Sequence, residues 1–245
     1  MNQNCQRGAK TSMKTIEAYI ESKQRDFENH EFFGFLESLI SLKTLSCFVP
    51  ELTFWVMTFQ DILRLNEERV QDPFLKKIAR HHRSEDSGHD KWFLHDKAYM
   101  GFNQEDIAWL YGKDLRPIRD AAYSLVSECY RSQDEILNIV LLLTLESSGH
   151  IFFERTVKQV KLSGEDPNLK YFSSSHLEVE MAHAVFENEM KRKIYERELP
   201  TYTRREAIEL VDRCYQAFSH MFDGLLKAGK ARLTPVETYG SLPAS

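Results

Sequence analysis

The sequence has few cysteines, and no two of them lie close together. Four occur in 245 residues, which leaves little material for a framework of disulfides. No pair has the C-x-x-C spacing of a thiolate zinc site, so we expect ordinary reduced thiols. The four are Cys5, Cys47, Cys129 and Cys214.

Long apolar runs are also absent. The longest run, Ile139 to Leu145, contains Thr144 and is followed at once by Glu146. It falls far short of the roughly 20 residues that a membrane span needs. The first residues of the chain hold no apolar stretch of the length of a secretory signal, so we expect a cytoplasmic protein without a membrane partner.

An excess of positive charge is missing as well. The net charge is -5, whereas proteins that bind nucleic acids usually present a broad positive surface, so we expect no nucleic-acid partner. The hydrophobic content of 42% is enough for a buried core. The length favours a single domain over residues 1–245, with flexible tails expected at 1–12 and 230–245.

The distribution of apolar residues predicts an all-α fold. They recur at helical spacing almost everywhere, and the alternation typical of strands is missing, which favours a single-domain bundle of about seven or eight helices. Asp72 followed by Pro73 predicts the start of a long helix that runs to about Met100 and stops at Gly101. Further helices are predicted at about 13–28, 31–45, 51–66, 104–111, 117–131 and 173–197.

Two pairs of residues have the spacing of a capping box. Ser132 with Glu135, and Thr203 with Glu206, predict the starts of two more long helices. The chain after Gly229 is expected to be loose and exposed to solvent.

Histidines and carboxylates recur at spacings that suit a metal site. His176, Glu180 and His183 are spaced i, i+4, i+7, so a helix would place all three on one stripe. His89 follows Glu85 by four residues and Asp86 by three, and either acid can share a metal ion with that imidazole.

A third candidate is Glu146, which ends an apolar segment where an unpaired carboxylate would be costly to bury. His150 lies at i+4 from Glu146, and we take these two as the candidate catalytic residues. His81, His82 and His95 are expected at the surface or beside the ligands. His30 and His220 are expected to be structural or exposed.

Three strings of residues, in this order, resemble the haem-oxygenase-like di-iron oxidases, whose superfamily includes the thiaminase-type and pyrroloquinoline-quinone-synthase proteins. The first is EDSGHDKW at 85–92, with Asp96 after it, where members often have E-E-x-G-H-x-x-W. The second is Glu146-Ser147 after the apolar segment, and the third is H-x-x-x-E-x-x-H at 176–183. The resemblance covers about residues 75 to 190.

The resemblance implies a haem-oxygenase-like fold and a pair of iron ions, with manganese as the alternative metal. One ion would be held by His89, His176 and the acid at 85 or 86, of which Asp86 is slightly favoured. Glu146 would bridge to a second ion held by Glu180 and His183. The sequence departs from the usual pattern at Glu180, where Asp is frequent. In some members the first acid lies seven residues before the histidine, where this chain has His82, so Glu85, Asp86 and His82 all stay open as the residue that completes the first site.

The activity implied is the activation of dioxygen to oxidise a small organic substrate, such as an amino acid, an amine or a fatty acid. The outcomes in similar proteins are C–C cleavage, desaturation and N-oxygenation, and a homodimer is expected. The alternatives are a cofactor-free or thiaminase-like enzyme of the same fold and a non-catalytic helical binding protein. The aromatic residues that could wall an apolar pocket are Phe54, Trp55, Phe59, Trp92, Phe93, Phe152 and Phe153.

Overall fold

Helices account for nearly all of the regular structure in the computed structural model, which describes residues 11–103, 106–131, 134–183 and 188–234. The predicted all-α bundle is confirmed. The helices are α1 (Met13–Phe27), α2 (Glu31–Glu37), α3 (Leu42–Leu45), α4 (Leu52–Arg69), α5 (Pro73–Glu85), α6 (His89–Tyr99), α7 (Ile107–Leu110), α8 (Arg116–Arg131), α9 (Ile136–Ser163), α10 (Ser174–His183), α11 (Asn188–Tyr195) and α12 (Thr201–Leu233).

Short elements complete the fold. Single turns of 3-10 helix occur at Ser46–Phe48, Lys113–Leu115 and Asp166–Asn168. Two strands of two residues each, β1 (Thr11–Ser12) and β2 (Glu198–Leu199), pair antiparallel, with Thr11 opposite Leu199. The pairing places Thr11 and Ser12 against the segment just before α12.

The core forms where α12 packs against α1, α8 and α9, and where α4 packs against α5 and α8. Helix α9 is buried around most of its circumference. By length and composition it could cross a membrane, but 67% of its apolar window is buried in the bundle, as in the core helix of a soluble protein. Its apolar character is therefore explained by packing against neighbouring helices.

The predicted long helix at 73–100 is broken in the structure. Its start is confirmed, because the Asp72 side chain accepts hydrogen bonds from the backbone N–H groups of Phe74 and Leu75. The break follows Asp86, since Gly88 adopts a left-handed conformation with φ of 96° that interrupts the helical hydrogen bonds. The predicted stop is confirmed at Gly101, whose φ is also positive.

A carboxylate on α4 fixes the rotation of α5. Glu67 accepts hydrogen bonds from Arg80 Nε and Arg83 Nη1, both at 2.9 Å. These charge-assisted hydrogen bonds, that of Arg80 first, hold the pKa of Glu67 below its ordinary value. With the two arginines on this side of α5, His82 lies on its buried side.

Two further predicted helix boundaries are wrong. The helix predicted at 31–45 ends at Glu37, and a new helix starts after Ser41, which forms a capping box with Thr44. Helix α12 begins at Thr201, so Thr203 lies inside its first turn, where its hydroxyl donates to Asp134.

The other predicted start, at Ser132, lies outside the described residues. The Glu135 carboxylate accepts hydrogen bonds from the backbone N–H groups of Gln71 and Asp72, and α9 begins just after it. Helix α12 continues past Gly229 to Leu233. Gly229 lies where Phe35 packs closely against this helix. A Cβ there would lie 2.8 Å from Phe35 Cε1.

Candidate metal centre

Two helices and the break after α5 bring an imidazole and two carboxylates together. His82 lies in the last turn of α5, Asp86 follows that helix, and Glu146 lies in α9. His82 Nε2 is 3.2 Å from Asp86 Oδ2 and 2.9 Å from Glu146 Oε1. One ligand atom from each residue lies within 4.8 Å of the others, so this group can hold a metal ion.

Two more histidines extend the cluster on the other side of Asp86. His89 Nδ1 is 3.2 Å from Asp86 Oδ1, and His176 Nε2 is 3.3 Å from His89 Nδ1. Asp86 therefore directs one carboxylate oxygen towards His82 and the other towards His89. All of these side chains are buried except that of Glu146, which is 31% exposed.

The donor atoms of this cluster suit a divalent transition metal. Imidazole nitrogens and carboxylate oxygens are ligands that iron and manganese accept, whereas structural zinc sites usually include thiolates. The cysteines described are free and buried, and burial raises the pKa of Cys47 and of Cys129 to about 12 and raises that of Cys214 further. They remain protonated thiols. Cys5 lies outside the described residues.

The backbone before α10 orients His176. Its Nδ1 donates to the carbonyl oxygen of Tyr171 at 2.6 Å, which in the neutral ring leaves the lone pair on Nε2 directed at the cluster. The segment that carries this carbonyl is held by Asp96, a fully buried residue of α6. The Asp96 carboxylate accepts from the backbone N–H groups of Lys170 at 2.8 Å and Phe172 at 2.9 Å.

Asp86 and His89 have supports of their own. Gln60 on α4 donates to the backbone carbonyl of Asp86 at 3.1 Å, which fixes the break between α5 and α6. The ring of Trp92 stacks on that of His89 with their centroids 4.7 Å apart. Such contacts restrict the rotamers of ligand side chains, as the surroundings of protein metal sites usually do.

An apolar cavity of about 70 Å³ lies beside the cluster. Helices α4, α9 and α12 provide most of its wall, and Asp86, His89 and Glu146 line it as well. In the same measure, a single water needs roughly 10–15 Å³, so the space exceeds that of one solvent molecule. The aromatic residues of the wall are Trp55, Phe59, Phe152, Phe153, Tyr171, Phe218 and Phe222.

Four of the seven aromatic residues predicted to wall a pocket line this cavity, and three do not. Phe54 packs against the rings of Tyr111 and Tyr123 at the surface. Trp92 covers His89, and Phe93 is fully buried in the core.

Most of the predicted site residues that the structure describes come together. Asp86, His89, Glu146 and His176 belong to the cluster described above. Of the two acids before His89, Glu85 is outside it: this side chain faces the other way, where its carboxylate lies 3.1 Å from His81 Nε2.

The remaining predicted residues are not placed in the cluster. His150 is exposed to solvent, although it lies at i+4 from Glu146 in α9. Glu180 and His183 belong to α10, but their side chains lie outside the described residues.

The sequence left the role of His82 open, as a residue at the surface or beside the ligands or as the one that completes the first metal site. A signal was present, since Leu75, Ile78, Ala79 and His82 follow the i, i+3, i+4, i+7 pattern of a buried helix face. A histidine that continues an apolar stripe needs a polar partner in the core. Here its partners are Asp86 and Glu146.

No protein-family model matches the chain, and no curated protein matches it either. The resemblance to the di-iron oxidases therefore depends on the residues of the candidate centre and stays a prediction.

Proposed function

We propose that the protein is a non-haem di-iron oxidoreductase that activates dioxygen to oxidise a small organic substrate. The observation that carries this proposal is the group of His82, Asp86 and Glu146, which can hold a metal ion and has His89 and His176 next to it. It is free of sulfur among the described residues and lies beside an apolar cavity. Nitrogen and oxygen donors of this kind suit iron that works with dioxygen. Manganese is the alternative metal.

The donors divide into two groups that share Asp86. His82, Asp86 and Glu146 would hold one ion. The second would be held by His89, which contacts the other oxygen of Asp86, and by His176, which contacts His89. This division differs from the one expected by resemblance, in which Glu146 would bridge to a second ion held by Glu180 and His183, whose side chains lie outside the described residues. Bound iron would supply the electrons that reduce dioxygen.

The residues of the chain supply orientation, exclusion of water and a route for protons. The apolar wall of the cavity keeps solvent from the cluster and holds a substrate beside it. Glu146 faces both the cavity and His82, so its carboxylate can hold a proton next to the substrate. Amino acids, amines and fatty acids are the proposed substrate classes.

One contact favours a second candidate, an acid–base enzyme of the same fold without a metal. His82 Nε2 lies 2.9 Å from Glu146 Oε1, a distance that allows a proton to pass between imidazole and carboxylate beside the cavity. Such an enzyme would need neither iron nor dioxygen, so metal content separates the two candidates.

Anaerobic titration with ferrous iron followed by exposure to air tests the proposal. We expect about two irons per chain and oxygen consumption that depends on iron. His82→Ala and His176→Ala should each lose most of the bound iron, whereas the control His81→Ala, next in sequence but on the exposed side of α5, should keep it. Unchanged iron content in both ligand variants, or no tight binding in the wild type, would contradict the proposal.

A further inference from the structure

The wall of the cavity beside the candidate metal centre is mostly apolar, and its charged groups lie at one place. Trp55, Phe59, Phe152 and Phe222 give most of it an apolar aromatic surface. The polar donors Gln60 and Ser148 also line the cavity, but Gln60 donates to Asp86 O and Ser148 to Leu145 O. The charged groups of the wall belong to the candidate metal centre, so a ligand would meet polar chemistry there and apolar contacts elsewhere.

Gly149 is the residue that leaves space in this wall. It lies in the middle of α9, one turn after Glu146 and one turn before Phe152 and Phe153. A Cβ built on Gly149 would meet nothing within 4 Å, whereas one on Gly229 of α12 would collide with Phe35. Gly229 thus serves close packing of helices, while Gly149 borders empty space. Its lack of a side chain adds directly to the room beside Glu146.

We propose that the cavity binds a small molecule with an apolar body and a single polar head group, and that Gly149 determines how large that body can be. The head group would face Asp86, His89 and Glu146, and the body would lie along the aromatic wall. The orientation of the head rests on the function proposed above, but the binding of the body does not require a metal ion.

The charges of the wall indicate which head groups need the metal. Among the described residues that line the cavity there is no lysine or arginine, and two of them, Asp86 and Glu146, are carboxylates. An alcohol or an amine can enter such a site without a compensating cation. A carboxylate head would be repelled by the acids unless a cation at the centre offset their charge.

Binding of n-alkanols of three to eight carbons and of the matching n-alkanoates, measured by calorimetry, tests this inference. We expect the metal-free wild type to bind alkanols, and alkanoates to bind only after ferrous iron is added anaerobically. Gly149→Leu should weaken alkanol binding at least tenfold and shorten the longest chain that binds. Gly149→Ala should shift the preferred length less.

Two controls keep the outcomes separate. Gly34→Leu, at an exposed position of α2 whose Cβ also meets nothing, should leave alkanol binding unchanged. Iron titration of Gly149→Ala should match the wild type, because the added methyl group would meet nothing within 4 Å and so displaces no candidate ligand.

Each outcome bears on one proposal. Alkanol binding that persists in folded Gly149→Leu, or alkanoates that bind equally well without metal, would overturn the inference. Alkanol binding without any iron uptake would support the cavity as a binding site and contradict the di-iron function. Normal iron uptake without alkanol binding would overturn this inference and leave the di-iron function standing.

Discussion

Asp96 acts on a candidate ligand that it does not touch. Its two oxygens hold the backbone of Lys170 and Phe172, and the carbonyl of Tyr171 between them receives the Nδ1 proton of His176. The carboxylate on α6 thus fixes the ring and tautomer of a histidine on α10. Groups that orient a ligand in this way typically change metal affinity by roughly 10–100-fold when they are altered.

We predict that Asp96→Asn lowers the affinity for ferrous iron by roughly 10–100-fold. The amide keeps one acceptor oxygen but turns an N–H₂ group towards a backbone N–H that the wild type satisfies. Anaerobic competition with a chelator measures the affinity, and the absorption spectrum of the cobalt-loaded protein reports whether the ligand geometry has changed.

His95→Ala is the matched control, since His95 also contacts the Asp96 carboxylate but is exposed at its other side. It leaves both backbone hydrogen bonds to Asp96 in place, so its iron affinity should stay near that of the wild type. A less stable Asp96→Asn protein with unaltered affinity and cobalt spectrum would mean that Asp96 only supports the fold.

At the scale of single residues, spacing along the chain predicted part of the cluster. His89 and Asp86 are three residues apart, and the structure brings them within 3.2 Å. Spacing relative to His89 could not show which of the two preceding acids faces inwards. Glu85 and Asp86 are neighbours, but only Asp86 faces inwards, because Arg80 and Arg83 fix the rotation of α5 through Glu67 on another helix.

The break between α5 and α6 is the element that separates the two halves of the cluster. Asp86 follows the last residue of α5, His89 begins α6, and Gly88 between them has a φ of 96°. A left-handed conformation costs residues with a side chain roughly 1–2 kcal/mol, whereas glycine adopts it without this cost. The local sequence, with a glycine inside an otherwise helical pattern, therefore encodes the break.

We predict that Gly88→Ala lowers the free energy of unfolding of the metal-free protein by about 1–2 kcal/mol. It should also weaken iron binding, because relief of the strain moves Asp86 relative to His89. Urea denaturation measures the stability, and the anaerobic iron titration measures the affinity.

Gly34→Ala is the control for backbone entropy, since Gly34 lies in α2 with a negative φ and open space at its Cβ position. A helical alanine should raise stability there by about 0.5–1 kcal/mol. If Gly88→Ala proved equally stabilising, the positive φ at this position would not carry the cost that we assign to it.

Capping residues and glycines in the sequence predicted some helix boundaries correctly and others wrongly. Asp72 and Gly101 mark real boundaries, because each acts through its own local conformation. The chain after Gly229 was expected to be loose, yet this glycine lies inside α12, where Phe35 and Cys47 pack against it. A contact between distant parts of the chain decided the role of this glycine, and local sequence does not contain that contact.

For the whole molecule, the periodic apolar pattern was sufficient to predict an all-α bundle. The residues that line the cavity could be predicted only in part. Its wall combines Trp55 of α4, Phe152 of α9 and Phe222 of α12, which are far apart in sequence. Only the packing of three helices determines which aromatic rings face one another and which, like that of Phe93, are simply buried in the core.

The candidate ligands connect four helices, so metal binding should stabilise the entire fold. His82 belongs to α5, His89 to α6, Glu146 to α9 and His176 to α10. The unfolded chain has no such site, and the free energy of binding therefore adds to the free energy of unfolding.

We predict that, under anaerobic conditions, ferrous iron at about 100 times its Kd stabilises the protein by about 2.7 kcal/mol for each ion bound. For a chain of this size that corresponds to a rise in Tm of roughly 5–10 °C. Differential scanning calorimetry with and without iron measures it. His82→Ala should lose most of the rise and His81→Ala should keep it, because only His82 faces Asp86 and Glu146. An equal rise in both variants would place the stabilising ion elsewhere in the molecule.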